Sequence, residues 1–433
     1  MRWLGPACLV GWFSLAFLGA CALQDGAPND PLDAIVEGAM AVNFGEDSHG
    51  MTEIHRLVPV VFERLVERHG FRVFAFEAPW GLTDALADFM SSQRVELDAR
   101  EQFFLHGAFV SEDVTRMLVW IRDFNRAHPQ DPIVLAGYHP EQPVTDLHAL
   151  ARFLRDAAPD HAATLLAGID VCRAGNDGFG TDLDFAEEVF ALQRRGRVSY
   201  TAAERKACLE GLGRIEGALA SSIPESTDLA LARLHVLSVQ TYVGLIRRIA
   251  DSYLESPQAP VEMRIRWQGE AYSGTDEARF RIYEALQRIR FPGKKVFFWM
   301  HDWHAAKHAS ELGLIEDAAD GGRFREGIPQ GTVSFGERLA AASGGSLTTL
   351  VTIATLVPCG TTCTEPPSSL EPSFQRVFGA RPTWIDLRVP HPDLPVTKPG
   401  SVFANGHGFG FGNVVLGRQY DAVLYLPTSE QLH

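Results

Sequence analysis

Basic residues are scarce in this chain: 39 Lys and Arg stand against 54 Asp and Glu over 433 residues, a formal charge of −15. No stretch offers the basic stripe that phosphate contact needs, which excludes a nucleic-acid partner. Long apolar runs are also missing. Past the N-terminal segment, no run is read as long enough to cross a bilayer. The strained Gly-x-Ser-x-Gly elbow of serine hydrolases is absent. Ser48 lacks the glycine two residues before it, and Ser273 in Ala271-Tyr-Ser-Gly-Thr275 has neither flank. The Gly-rich stretch Asn405-Gly-His-Gly-Phe-Gly-Phe-Gly-Asn413 does not order its glycines as a phosphate loop does, and no lysine closes it. It reads as a mobile rim or lid, with His407 incidental. Neither an internal repeat nor a low-complexity tract is visible.

What is present begins with a targeting segment. Arg2 supplies a positive start and Ala7 to Ala20 is uncharged and mostly apolar, too short for a comfortable span. It ends in Leu18-Gly19-Ala20-Cys21, which resembles the bacterial lipobox, in which the cysteine is lipidated and becomes the first mature residue. Secretory cleavage after Ala20-Cys21-Ala22 also satisfies the small-residue rule. Either route implies an exported protein, read as a periplasmic or outer-membrane lipoprotein that meets the membrane through a lipid anchor only. Of the six cysteines, Cys8 and Cys21 fall in this segment. The remaining four suggest disulfides in an oxidising compartment, and locality pairs Cys172 with Cys208 and Cys359 with Cys363. A Cys-x3-Cys metal clip is the alternative for the second pair.

The body of the chain reads as α/β: a mostly parallel sheet flanked by helices, with a helical insertion. A short strand runs to Phe44 and stops at Gly45. A helix-period run follows through Ile54, Leu57, Val58, Val61, Phe62 and Leu65. Phe71–Glu77 is a near-continuously apolar strand, as a parallel strand buried on both faces should be. A helix is expected around Val114–Phe124. Pro132–Ala136 is a third strand, emptying into Gly137-Tyr-His-Pro-Glu-Gln142. Helical spacing dominates residues 144–290, and strand signals resume with Lys294–Met300, Leu347–Leu356 and Tyr420–Leu426. The expected organisation is a signal segment over 1–21, an α/β catalytic domain over 22–143 and 291–433, and a helical subdomain over 144–290.

Each of the first four strands ends in titratable residues: Glu46 and His49, then Glu77, then His139 and Glu141, then His301 and His304. If the strands are parallel, these ends converge at one sheet edge, where open α/β folds build their sites. Imidazole titrates near neutrality and a carboxylate orients it, so the group suits proton transfer. Trp80 and Tyr138 sit beside that edge. Glu77 is hard to bury without cationic or hydrogen-bonded company. No cofactor is expected. The alternative is zinc or a similar divalent ion on His49, His301 and His304 with a carboxylate.

The ordered blocks resemble the erythromycin esterase family. Gly45-Glu-Asp-Ser-His-Gly50, Glu53, Gly70–Glu77 and Trp80 are similar to its opening block. Val119–Asn125 with Leu135-Ala-Gly-Tyr138, Val296–Lys307, Phe335–Leu339 and Tyr420–Leu424 are similar to its later ones. The resemblance implies hydrolysis of a macrolactone or other carboxylic ester without a serine nucleophile. It carries catalytic roles to His49, Glu46, Glu77, His301 and His304, with His49 as the base on water. Glu53, Arg56, Trp80, Tyr138 and His139 are the expected substrate contacts. Departures are concentrated near the substrate: Val58 stands where the family has an arginine, His139 for an aspartate, and Asp302 for an asparagine. The family's arginine-bearing helix is only loosely echoed by Thr275-Asp-Glu-Ala-Arg-Phe280. A non-catalytic ligand-binding surface lipoprotein is the remaining alternative.

Overall fold

Seven strands form one sheet, lying side by side in the order Val134–His139, Phe71–Pro79, Lys295–His301, Ala41–Glu46, Leu347–Leu356, Ala422–Ser429 and Thr383–Asp386. The structure is a computed structural model and describes residues 31–46, 49–81, 86–98, 101–102, 105, 109–140, 143–172, 200–221, 223–248, 252, 260–314, 330–356, 370–397, 400–404 and 409–429. Cys21, Glu141, Cys359, Cys363 and His407 lie outside the described residues. The strands are β1 (Ala41–Glu46), β2 (Phe71–Pro79), β3 (Val134–His139), β4 (Lys295–His301), β6 (Leu347–Leu356), β7 (Thr383–Asp386) and β10 (Ala422–Ser429). All neighbours pair parallel except β7, which runs antiparallel to β10. The fold is the α/β class the sequence implies.

Parallel strands need crossovers, and the chain supplies helices for them. The helices are α1 (Thr52–His69), α2 (Glu112–Ala127), α3 (Pro143–Ala157), α4 (Pro159–Ala167), α5 (Ala202–Ser221), α6 (Thr227–Thr241), α7 (Val261–Ile289), the one-turn α8 (Asp302–Ala305), α9 (Phe335–Ala342) and α10 (Glu371–Phe378). Serine hydroxyls cap α2, α6 and α9 through Ser111, Ser226 and Ser334. Helix α1 stops at Gly70, whose φ of 71° is the left-handed turn that glycine adopts without penalty.

Alternation along β4 shows why its apolar run is continuous. Phe297 and Trp299 point into one core with Phe44, Phe74 and Phe76, while Val296, Phe298 and Met300 point into the opposite one with Val73, Tyr283 and Phe335. Both faces are covered by helices, so neither can carry polar residues.

Helices α3 to α6 build a further core of their own, including Leu147, Leu150, Leu154, Leu212, Ile215 and Val239. A Cys172–Cys208 disulfide lies inside it, with Cα atoms 4.9 Å apart. One helical stretch here, Thr227–Ile246, is long and apolar enough by length and composition to span a membrane. The sequence reading overlooked it. Leu229, Ala232, Val236, Val239 and Val243 pack into this helical core, so the stretch serves as a core helix. Part of the Gly-rich stretch is a strand. Phe409–Val414 is β9 of a small sheet with β5 (Gly313–Leu314) and β8 (Gly400–Ala404).

Candidate active site

Parallel register brings the polar strand ends together. In the β1–β4 ladder Glu46 lies directly beside His301, and in the β2–β4 ladder Phe76 lies beside Trp299, which sets Glu77 one step further along the same edge. The chain enters at β1 and later elements are laid on both sides of it, so the crevice falls at the carboxyl ends of β1, β2 and β4. Strand β1 reaches further than its sequence suggests: Gly45 and Glu46 are strand residues, fully buried. Gly45 is required there because a Cβ would stand 2.8 Å from Asp302 Cα and 3.0 Å from Ala305 Cβ. Its bare backbone lets α8, and with it His304, lie against the strand.

Glu46 is buried and accepts two hydrogen bonds, from Trp299 Nε1 at 2.9 Å and from His49 Nδ1 at 2.5 Å. A third of the His49 side chain remains exposed, and its ring faces that of His301 with centroids 5.4 Å apart. Burial alone pulls the His49 imidazole down. The hydrogen bond and charge of Glu46 outweigh it, with Glu77 adding to the pull, and hold His49 at about 9. Burial pushes the Glu46 carboxyl up, opposed by His49 and Trp299.

A second acid, Glu77, is the centre of a buried network. Its Oε1 meets Arg279 Nη2 at 2.8 Å and His304 Nε2 at 3.3 Å, and its Oε2 accepts the His301 backbone N–H at 2.8 Å. Burial raises this carboxyl, but Arg279, His304 and His49 together hold it well below the usual carboxylate range. Asp276 completes the network, accepting Arg279 Nη1 at 2.9 Å on Oδ1 and both His304 Nδ1 and the Phe335 N–H at 2.8 Å on Oδ2. His301 turns Nδ1 to Asp302 Oδ1 at 2.7 Å. One crevice therefore holds Glu46, His49, Glu77, His301 and His304, the five residues singled out from the sequence.

The expected substrate contacts are more dispersed. Trp80 is 2 % exposed and packs against the tilted ring of His235, whose Nδ1 is 2.8 Å from buried Asp146. Tyr138 is 1 % exposed and stacks on Phe335. Both are packing residues at the rear of the edge, because no solvent-facing surface remains to meet a ligand. His139 is buried near enough to Glu77 to lower its carboxyl. Exposed Arg56 stands 3.9 Å from Asp113 of α2 and is not among the ion-pair partners shown for the crevice carboxylates. Glu53 lies in the first turn of α1.

The sequence reading missed Asp276, Arg279 and Asp302. Asp276 and Arg279 lie three apart on one face of α7, within the segment that only loosely echoed the family's helix, and that echo was the available signal. Arg279 supplies the cation that Glu77 demanded. His49, His301 and His304 each have Nδ1 on a carboxylate, and His304 has one on each nitrogen. Among the described residues no three His, Cys, Asp or Glu side chains are grouped to hold one metal ion. The donor set does not fit the three-histidine metal alternative.

The molecule is thus an α/β protein whose sheet carries carboxylate-bound imidazoles at its carboxyl edge, a site suited to proton transfer. The family model described as Erythromycin esterase matches residues 66–429, so the chain belongs to the erythromycin esterase family. Glu46 and His49 precede the matched span, and their assignment rests on geometry. The Bacillus subtilis (strain 168) protein named "Putative hydrolase YbfO" is 20% identical over 286 residues, covering 65% of this chain and 59% of that protein. The match thus spans less than two thirds of YbfO. A histidine-to-asparagine mutant of the erythromycin esterase EreC, in its open conformation, superposes with a TM-score of 0.63 at 17% identity, covering 93% of this chain and 94% of that one. A Bacillus cereus protein gives 0.67 at 15% identity over 93% and 92%. A succinoglycan biosynthesis protein gives 0.65 at 17% over 93% and 91%. At these identities the superpositions establish the shared fold.

Proposed function

We propose that this chain hydrolyses a carboxylic ester, with lactones included, using a water molecule activated by His49. The observation that carries the reading is the buried Glu46–His49 pair, 2.5 Å apart, at the mouth of a crevice that also holds a second buried acid. Glu46 on Nδ1 fixes the ring so that Nε2 is the nitrogen that takes a proton from water. Attack on the acyl carbon places negative charge on its oxygen, and the His304 imidazole, its ring 6.5 Å from that of His301, stands beside the space where that charge develops. Glu77 acts one layer back. Held by Arg279 and bonded to the His301 N–H, it fixes the strand end and His304.

The reaction as drawn needs neither cofactor nor metal. The partner is a small-molecule ester or macrolactone, with antibiotic macrolides the first substrates to try. The lipobox-like segment supports an exported, lipid-anchored protein, to be checked by mass spectrometry of the mature N-terminus. The purified chain is to be screened against macrolides, simple lactones and acyclic esters. His49→Ala is expected to lower kcat at least ~100-fold in a folded protein, in keeping with loss of a general base. Chelation with metal analysis is expected to leave turnover unchanged. Full activity in His49→Ala, or activity lost on chelation and restored by zinc, would refute the reading.

A further inference from the structure

The crevice holds a second acid–imidazole pair, built like the first. His301 Nδ1 lies 2.7 Å from Asp302 Oδ1; the acid is 1 % exposed and the imidazole 20 %. Asp302 is anchored. Its Oδ1 also accepts the Trp303 N–H at 2.6 Å, and its backbone carbonyl accepts the Tyr420 hydroxyl at 3.2 Å. That Trp303 N–H is 3.4 Å from His301 Nδ1, the longer of its two contacts. The N–H therefore belongs to the carboxylate, and the network assigns the Nδ1 proton to His301. The charged groups facing His301 are His49 and Glu46 from the end of β1, Glu77 from β2, and Asp302 and His304 from α8. Arg279 and Asp276 of α7 stand behind them.

We propose that Asp302 is a positioning residue: it fixes His301 as the general acid that protonates the departing alkoxide. The inference rests on the ester-hydrolase reading above. Water adds its oxygen to the acyl carbon and gives a proton to His49 Nε2. The bond between the acyl carbon and the alcohol oxygen breaks, and His301 Nε2–H gives its proton to that oxygen. Ester and water become acid and alcohol; the proton gained by His49 returns to His301 through solvent, across rings 5.4 Å apart. Two imidazoles in one site can divide these tasks because each has its own carboxylate. Burial pulls the His301 imidazole down, yet the charge and hydrogen bond of Asp302 raise it on balance, which favours the proton-loaded form.

Leaving-group chemistry separates this role from a structural one. A p-nitrophenolate departs without a proton, whereas an ethoxide requires one. Asp302→Asn keeps the size of the side chain and an acceptor for Nδ1–H while removing the charge. With the full chain, kcat on an ethyl ester is expected to fall at least ~10-fold with KM within about 3-fold, and kcat on the matching p-nitrophenyl ester to stay within about 3-fold. An equal loss on both esters, or no loss on the ethyl ester, overturns the proposal. If the wild type turns over no ester, the ester-hydrolase reading fails first. The positioning role is then read by histidine NMR titration. A lower His301 midpoint in Asp302→Asn sustains it, and an unchanged midpoint ends it.

Discussion

A carboxylate with no exposed surface is costly unless a cation or strong donors compensate it. Glu46 has Trp299 and His49, and only the second can bring charge. That is the reason His49 is held at about 9 against the pull of its own burial. The proton between them belongs to the pair, so the midpoint near 9 is a property of the pair and not of His49 alone. Because the base must be neutral to accept a proton from water, kcat/KM is expected to rise with pH up to about 9. Glu46→Gln should move that limb down toward the ordinary imidazole value of about 6.5 and lower the plateau. The sign for stability is opposite. The folded value lies above the unfolded one, so the pair's contribution is complete below pH ~6.5 and fades as pH rises through about 9. A pH–rate profile of the two proteins checks the first statement, and chemical denaturation at pH 6 and 10 the second. A limb that stays in place in Glu46→Gln would contradict both. The sequence shows an acid and an imidazole three apart, but not that the acid is wholly enclosed, and enclosure is what sets the midpoint.

Strand ends are where sequence and structure diverge, and glycine is the reason. Patterning stops β1 at Phe44 and β3 at Ala136, yet β1 continues to Glu46 and β3 to His139. Glycine weakens a strand signal, but both glycines mark close backbone approach: a Cβ on Gly137 would fall 1.9 Å from the Pro79 carbonyl oxygen, and one on Gly45 2.8 Å from Asp302 Cα. The converging acids and histidines were readable because each follows an apolar strand. Asp276 and Arg279 were not readable as site residues, since they sit within a 29-residue helix whose inward face is set by tertiary packing. Asp302 was visible only as a departure from a family block. Gly45→Ala tests the close approach. It should push α8 off β1, destabilise by about 1–3 kcal/mol, and lower kcat by displacing His301 and His304. Thermal melting with kinetics checks this. A variant with unchanged melting and kcat would show that α8 yields without cost.

At the scale of the whole molecule, the site draws on the sheet and on α7, while among the described residues the helical core around the disulfide contributes none of the side chains that meet in the crevice. Helix α7 is anchored on the sheet by Ile282, Tyr283 and Leu286, and Leu234 of α6 lies in the same cluster. Its closest tie to the edge is the packing of His235 on Trp80, with Asp146 behind. The Cys172–Cys208 bond closes a loop of sequence separation 36 inside this core. The loop-entropy relation makes its removal worth roughly 3–4 kcal/mol, lost from the core that contains the bond. Replacing both cysteines with alanine should therefore add an early transition on heating while kcat at 25 °C changes by less than about 3-fold. Calorimetry with and without reductant, alongside kinetics, reads both quantities. Simultaneous loss of activity at the early transition would mean that the helical core holds α7 in place, and that the crevice is assembled by the entire chain instead of by the sheet and the helix packed on it.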